Sequence, residues 1–208
     1  MNVDIWLNAF ATLFVTIDPP GIAAIFLGVT AGLGAAAKAQ VAWRAAVIGL
    51  AILVVFMLIG ATFLDLLGIT MAAFRVAGGL LLFSIAFEMV FEKRSKRQKE
   101  TAERIMTRAE LHSIAVFPLA IPLIAGPGAI SAVILLASES ADRPWGLLTP
   151  ISALLSVCLL LYLSMRLATR VDRFVGDTGR IILTRLLGII LAALAVQFIA
   201  DGAIRLFT

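Results

Sequence analysis

The sequence is short of the groups that carry most protein chemistry. Its 208 residues include one cysteine, Cys158, and one histidine, His112. A single thiol excludes a disulfide framework, a thiolate metal cluster and a CxxC redox pair. A single histidine bordering a polar stretch, with no second ligand beside it, reads as an interfacial residue and not as a metal or proton site. Neither HExxH nor GxSxG occurs, and no nucleophile and base stand together, so the expectation is a protein that is not an enzyme. Charge is scarce as well: Asp, Glu, Lys and Arg make up 14% of the chain against 62% hydrophobic residues, and the mean hydropathy is +1.06. A water-soluble fold is excluded on that balance, and an integral membrane protein is implied.

What charge there is has a pattern. The net +4 comes from basic residues beside apolar spans, where lipid headgroups and topology account for them, so no nucleic-acid partner is expected. Met1 to Asp4 carry an acid and no base. That is unlike the positive start of a signal peptide, and the first span is expected to stay in the protein.

A spanning helix needs about 20 apolar residues. Six candidates follow, at roughly 5–30, 45–64, 68–90, 113–138, 145–165 and 181–201. Trp6, Trp43 and Trp145 fall at span edges, where amphipathic rings favour the headgroup layer. With six spans, 13 of the 17 Lys and Arg residues share one face of the membrane, among them Lys38, Arg44 and Arg166. The positive-inside rule makes that face cytoplasmic, so both termini face outward. The charged stretch 92–112 reads as a cytoplasmic linker between halves 1–91 and 113–208.

Two apolar spans are interrupted where nothing in a plain anchor requires it. Asp18-Pro19-Pro20-Gly21 sits inside the first, and Gly126-Pro127-Gly128 inside the fourth, with Gly21 and Gly128 standing 107 positions apart. A second correspondence follows in the same order: Arg75-Val-Ala-Gly78 answers Arg185-Leu-Leu-Gly188 at an offset of 110. The expected fold is therefore an all-α membrane protein of six transmembrane helices, arranged as two inverted three-helix repeats with helices 1 and 4 discontinuous. An odd number of spans per copy inverts the second, a recurrent construction of secondary transporters, which bind substrate near the midplane.

The prolines remove amide donors and free backbone groups in mid-membrane. Such groups are tolerated only in protein or along a wet cavity, where the start of a half-helix favours an anion. The candidate substrate site therefore comprises Thr16, Asp18, Pro19, Pro20, Gly21, Gly126, Pro127, Gly128 and Ser131. Amides after Gly21 and Gly128 would hold a carboxylate, Thr16 and Ser131 would offer hydroxyls, and Asp18 would take an ammonium group or a coupling H+ or Na+. Asp18 has a plainer alternative, capping the half-helix that follows it. Arg75 and Arg185 are candidates for gate or ion pairing, against the alternative that they reach headgroups or pair locally with Asp65 and Asp177.

With Asp18-Pro-Pro-Gly, Phe74-Arg75-Val-Ala-Gly78-Gly79-Leu-Leu-Leu-Phe83 and Phe117-Pro118-Leu-Ala-Ile-Pro122-Leu-Ile-Ala-Gly126-Pro127-Gly128-Ala-Ile-Ser131, the chain resembles the MarC family of bacterial inner-membrane proteins over nearly its whole length. It departs from the family pattern at Asp18, often Asn, and at Ala24, often proline. The resemblance implies two inverted three-helix repeats and a kinship with LysE-type exporters and neutral amino-acid transporters. The expected function is a secondary transporter of small neutral amino acids such as glycine or alanine. Its partners are the substrate and the lipid bilayer, with a homo-oligomer left open, and it needs no cofactor. An exporter of an ion or another small solute, and a non-transporting scaffold, are the rival readings.

Overall fold

A computed structural model describes residues 3–30, 33–91, 114–140 and 146–207, and all of their regular structure is helical. In chain order the elements are α1 (Val3–Ile17), α2 (Pro19–Val29), α3 (Ala35–Leu66), α4 (Met71–Val90), α5 (Ala115–Ile124), α6 (Pro127–Ser140), α7 (Leu148–Arg166) and α8 (Ala168–Phe207). The fifth winds as a π-helix. The linker 92–112, with His112, and the Arg143 and Trp145 region lie outside the described residues.

Five stretches are long and apolar enough to cross a membrane: Val3–Val29, Ala35–Leu66, Met71–Val90, Leu148–Arg166 and Thr184–Phe207, with Pro127–Ser140 a shorter apolar helix. The expected first and fourth spans are the two broken ones. The first parts at Asp18 into α1 and α2, and the fourth parts at Ala125 and Gly126 into α5 and α6.

Two boundaries move outward from the sequence expectation. α3 begins ten residues before the apolar run, and α8 begins at Ala168 instead of near 181. At about 1.5 Å per residue these helices are far longer than a hydrocarbon core of about 30 Å. Their first turns project past it on the basic face, and a hydropathy criterion sees only the part inside.

Burial separates the helices into two sets. α6 is buried along most of its length, at Gly128, Ala129, Ser131–Ala137 and Ser140. α2 buries Pro19, Ile22, Ala23, Ile25, Phe26 and Val29. The unbroken helices instead turn large apolar side chains outward: Val55, Leu58, Ile59 and Phe63 on α3, Leu80, Phe83 and Phe87 on α4, Leu155 and Leu159 on α7, Ile189 and Val196 on α8. In a membrane those faces meet lipid. α2 and α6 are thus largely enclosed while the continuous helices face outward, with Pro127 at the start of α6 left exposed.

Lipid is as apolar as leucine, so close packing holds such helices together. Glycines supply the closeness. A Cβ on Gly79 would stand 2.9 Å from the carbonyl oxygen of Ala195, and one on Gly202 would stand 2.9 Å from that of Ala72. One on Gly188 would meet Met89 at 2.9 Å. α4 and α8 thus run antiparallel, backbone against backbone. On α3, Gly49 and Gly60 receive Ile124 and Ile134, each 2.5 Å from where a Cβ would be. α1 carries a column of stacked rings, Trp6 on Phe10 at 5.1 Å and Phe10 on Phe14 at 5.9 Å, and Trp6 Nε1 donates to Ser152 Oγ of α7 at 3.1 Å.

The only cysteine in the sequence, Cys158, is buried in α7, which leaves a clean background for cysteine labelling. Ala36→Cys at the start of α3 and Leu67→Cys at its end are both exposed positions. A membrane-impermeant maleimide is expected to reach them from opposite sides of the bilayer; labelling of both from one side would refute the span assigned to α3.

Candidate functional site

The first interruption is built by Asp18. Its backbone is left-handed, φ 60° and ψ 65°, the one positive φ outside glycine among the described residues. Aspartate and asparagine are the side chains that best tolerate this region, because a short polar group can bond locally. Asp18 does so: its Oδ1 accepts the amide of Gly21 at 3.1 Å, and its carbonyl accepts that of Ile22 at 3.0 Å. Its own amide still donates back to Phe14 at 2.9 Å. The carboxylate is the N-cap of α2, with Pro19 and Pro20 at the first two helical positions, where missing amides cost least.

Gly21 is required by the same arrangement. A Cβ there would run into the Asp18 carboxylate. The start of α2 is therefore already filled: two positions lack N–H, and the third donates to Asp18. The expectation that amides after Gly21 would receive a foreign carboxylate is not met by this geometry, because the chain's own carboxylate stands there.

The second interruption differs. Gly126 precedes α6, and a Cβ on it would lie 2.6 Å from the backbone oxygen of Pro122. Only glycine fits, so no side chain can cap α6 from that position. Pro127 again occupies the first turn, and Ile130 donates to the Gly126 carbonyl at 3.0 Å. The amides of Gly128 and Ala129 belong to this first turn, where the helix dipole favours negative charge. Upstream, Ala125 donates to Ala120, five residues back, at 2.9 Å. Such π-helical winding is frequent at functional sites.

The two breaks are neighbours. A Cβ on Gly128 would lie 3.6 Å from the methyl of Thr16 and would also meet Ile85 and Leu82 of α4. One turn on, Ser131 packs on Gly78, its Oγ 3.7 Å from where a Cβ would be. Thr16, Asp18 and Ser131 are all buried. The Thr16 hydroxyl donates to the Thr12 carbonyl at 2.6 Å. The Thr12 hydroxyl, wholly buried, has no hydrogen-bond partner among the described residues. The sequence reading passed over Thr12; the signal was its spacing of four from Thr16, which stacks both on one helix face.

Arg75 and Arg185 do not come together. Arg75 is 4% exposed and its Nη2 lies 3.3 Å from Glu139 Oε1, so α4 is tied to the last turn of α6. Neither the headgroup layer nor Asp65 receives it. Glu139 lies just beyond the uncharged run assigned to the fourth span, and only the extension of α6 to Ser140 brings its half-buried carboxylate to Arg75. Arg185 is exposed on α8, beside the opposite end of α4 from Arg75. The Asp177 side chain lies outside the described residues.

Replacing Asp18 by Ala is expected to destabilise the protein by about 1 kcal/mol through the lost cap, and Asp18→Asn by less than about 0.5. Gly21→Ala, which in an ordinary helix would stabilise by roughly 1 kcal/mol, is expected to lower stability because of the clash. Thermal unfolding in detergent checks all three, and a Gly21→Ala protein more stable than wild type would refute the capped geometry.

Known proteins resemble this chain along its length. The family model "MarC family integral membrane protein" matches residues 3–207. A UPF0056 membrane protein of Archaeoglobus fulgidus is 38% identical over 195 residues, 93% of this chain and 90% of its own. The UPF0056 membrane protein YhcE of Escherichia coli is 34% identical over 205 residues, 98% and 94% of the two chains, and YvbG of Bacillus subtilis is 33% identical over 201, 97% and 95%. No solved structure matches. A full-length family match on a helical bundle with apolar outer faces and interrupted inner helices makes this chain a member of the MarC family of multi-pass integral membrane proteins.

Proposed function

We propose that the chain is a secondary transporter of a small neutral amino acid, bound where the two interrupted helices meet. The observation that carries this is the pairing of unlike breaks: Asp18 brings a buried carboxylate to one, and α6 brings an N-terminus that Gly126 cannot cap to the other, with Thr16 against Gly128 between them. A zwitterion complements that pair. Its carboxylate suits the amides of Gly128 and Ala129, and its ammonium suits Asp18, while Thr12, Thr16 and Ser131 supply hydroxyls. The tight walls of Gly78, Leu82 and Ile85 favour a side chain as small as that of glycine or alanine.

The order of broken helix, long helix and further helix in 3–90 recurs in 115–207, which supports the reading of two inverted repeats. Rocking of one against the other would give alternating access. In this reading Arg75–Glu139 joins the two halves near one face and would break and re-form as that face opens. The basic face is taken as cytoplasmic, with both termini periplasmic in the inner membrane.

Uptake or counterflow of labelled glycine and alanine in proteoliposomes tests the proposal: flux above that of protein-free vesicles is expected, and its absence for any amino acid with folded protein would overturn it. If Asp18 also carries a coupling ion, Asp18→Asn should abolish the dependence of flux on the proton or sodium gradient. An unchanged dependence would leave Asp18 as a cap and ammonium partner only.

A further inference from the structure

Away from the breaks, a cavity of about 240 Å³ opens between the end of α2, the first turns of α3 and the end of α7. Two cations from different helices line it, Lys38 of α3 and Arg166 of α7, and no acidic residue among the described ones does. Neither cation has an ion pair or side-chain hydrogen bond among the described residues. Lys38 is half-buried and Arg166 exposed at the rim. The start of α3 adds to the positive field, since its N-cap is Gly34, with no side-chain bond to the first-turn amides. The remaining wall is apolar, with Phe26, Leu27, Leu33 and Met165.

Two like charges converging on one cavity repel each other, and a third partner of opposite sign relieves that cost. Both belong to the basic face of the membrane, where anionic headgroups concentrate. We propose that the juxtaposition of Lys38, Arg166 and the α3 start forms a binding site for a phosphate-type anion. Arg166 would grip the phosphate oxygens and Lys38 would act as a point charge. A phospholipid headgroup and a free anion share that chemistry. The apolar wall would additionally receive the upper part of an acyl chain.

The purified full-length protein, stripped of lipid in neutral detergent, is titrated with inorganic phosphate and, separately, with phosphatidylglycerol or phosphatidylcholine in mixed micelles. Thermal unfolding is the readout. A rise in unfolding temperature is expected with phosphatidylglycerol and not with phosphatidylcholine; a rise with phosphate alone as well would identify a soluble anion as ligand. In Lys38→Gln/Arg166→Gln the half-saturating concentration should increase about tenfold or more, as for the loss of charged hydrogen bonds. Lys38→Arg should retain binding, which guards against a variant that merely folds poorly. Arg44→Gln, an exposed cation on the same helix outside the cavity, should behave as wild type. Equal stabilisation of wild type and double variant, no stabilisation by either anion, or an equal loss in Arg44→Gln would overturn the proposal.

Discussion

A peptide group without a partner is intolerable in hydrocarbon, and the architecture follows from that. Pro19, Pro20 and Pro127 cannot donate amide hydrogens, so the helices that contain them cannot face lipid at those points. α2 and most of α6 lie in the interior, and Pro127 is the exposed point of the second break. α3, α4, α7 and α8, whose backbone ladders are continuous, form the outer wall and turn their leucines, isoleucines and phenylalanines outward. The arrangement also concentrates the buried polar side chains Thr12, Thr16, Asp18 and Ser131 in one region.

The two interruptions meet this constraint by different means. At the first, Asp18 adopts a left-handed backbone and spends an oxygen of its carboxylate on Gly21. Asparagine, which the family resemblance puts at this position, satisfies the same two demands, a tolerated positive φ and a capping oxygen. The choice of aspartate then adds charge without altering the turn. At the second, the backbone of Pro122 lies so close to Gly126 that no capping side chain fits. One break is capped by its own carboxylate, and the other admits no capping side chain at Gly126. That difference gives the proposed zwitterion site its direction.

Outside the breaks, the bundle is assembled by close approach more than by polar contacts. Glycines on both members let α4 and α8 touch along their length, and Gly49 and Gly60 let α3 receive the isoleucines of α5 and α6. Against that background the Arg75–Glu139 pair is unusual, an ion pair between α4 and α6 that joins a buried guanidinium to a half-buried carboxylate. Desolvating such charges is costly, so its role is better understood as specifying which helices meet than as adding stability.

The sequence by itself determined the membrane class, the apolar runs and the two points of interruption, because hydropathy and proline act locally along the chain. It also singled out Thr16, Asp18, Gly128 and Ser131 as candidates, since a charge, a hydroxyl or a breaker stands out in an apolar run. Tertiary structure decided what those residues face. Nothing local pairs Arg75 with Glu139 across 64 positions, marks Thr12 as a hydroxyl without a partner among the described residues, or shows that α3 and α8 begin well before their apolar runs. Nor could the sequence distinguish Asp18 as a cap from Asp18 as a bare charge. That rested on a backbone angle and one bond to Gly21. Periodicity and composition report the solvent each segment prefers, whereas partners are chosen by packing between segments far apart in the chain, and only the folded bundle brings those together.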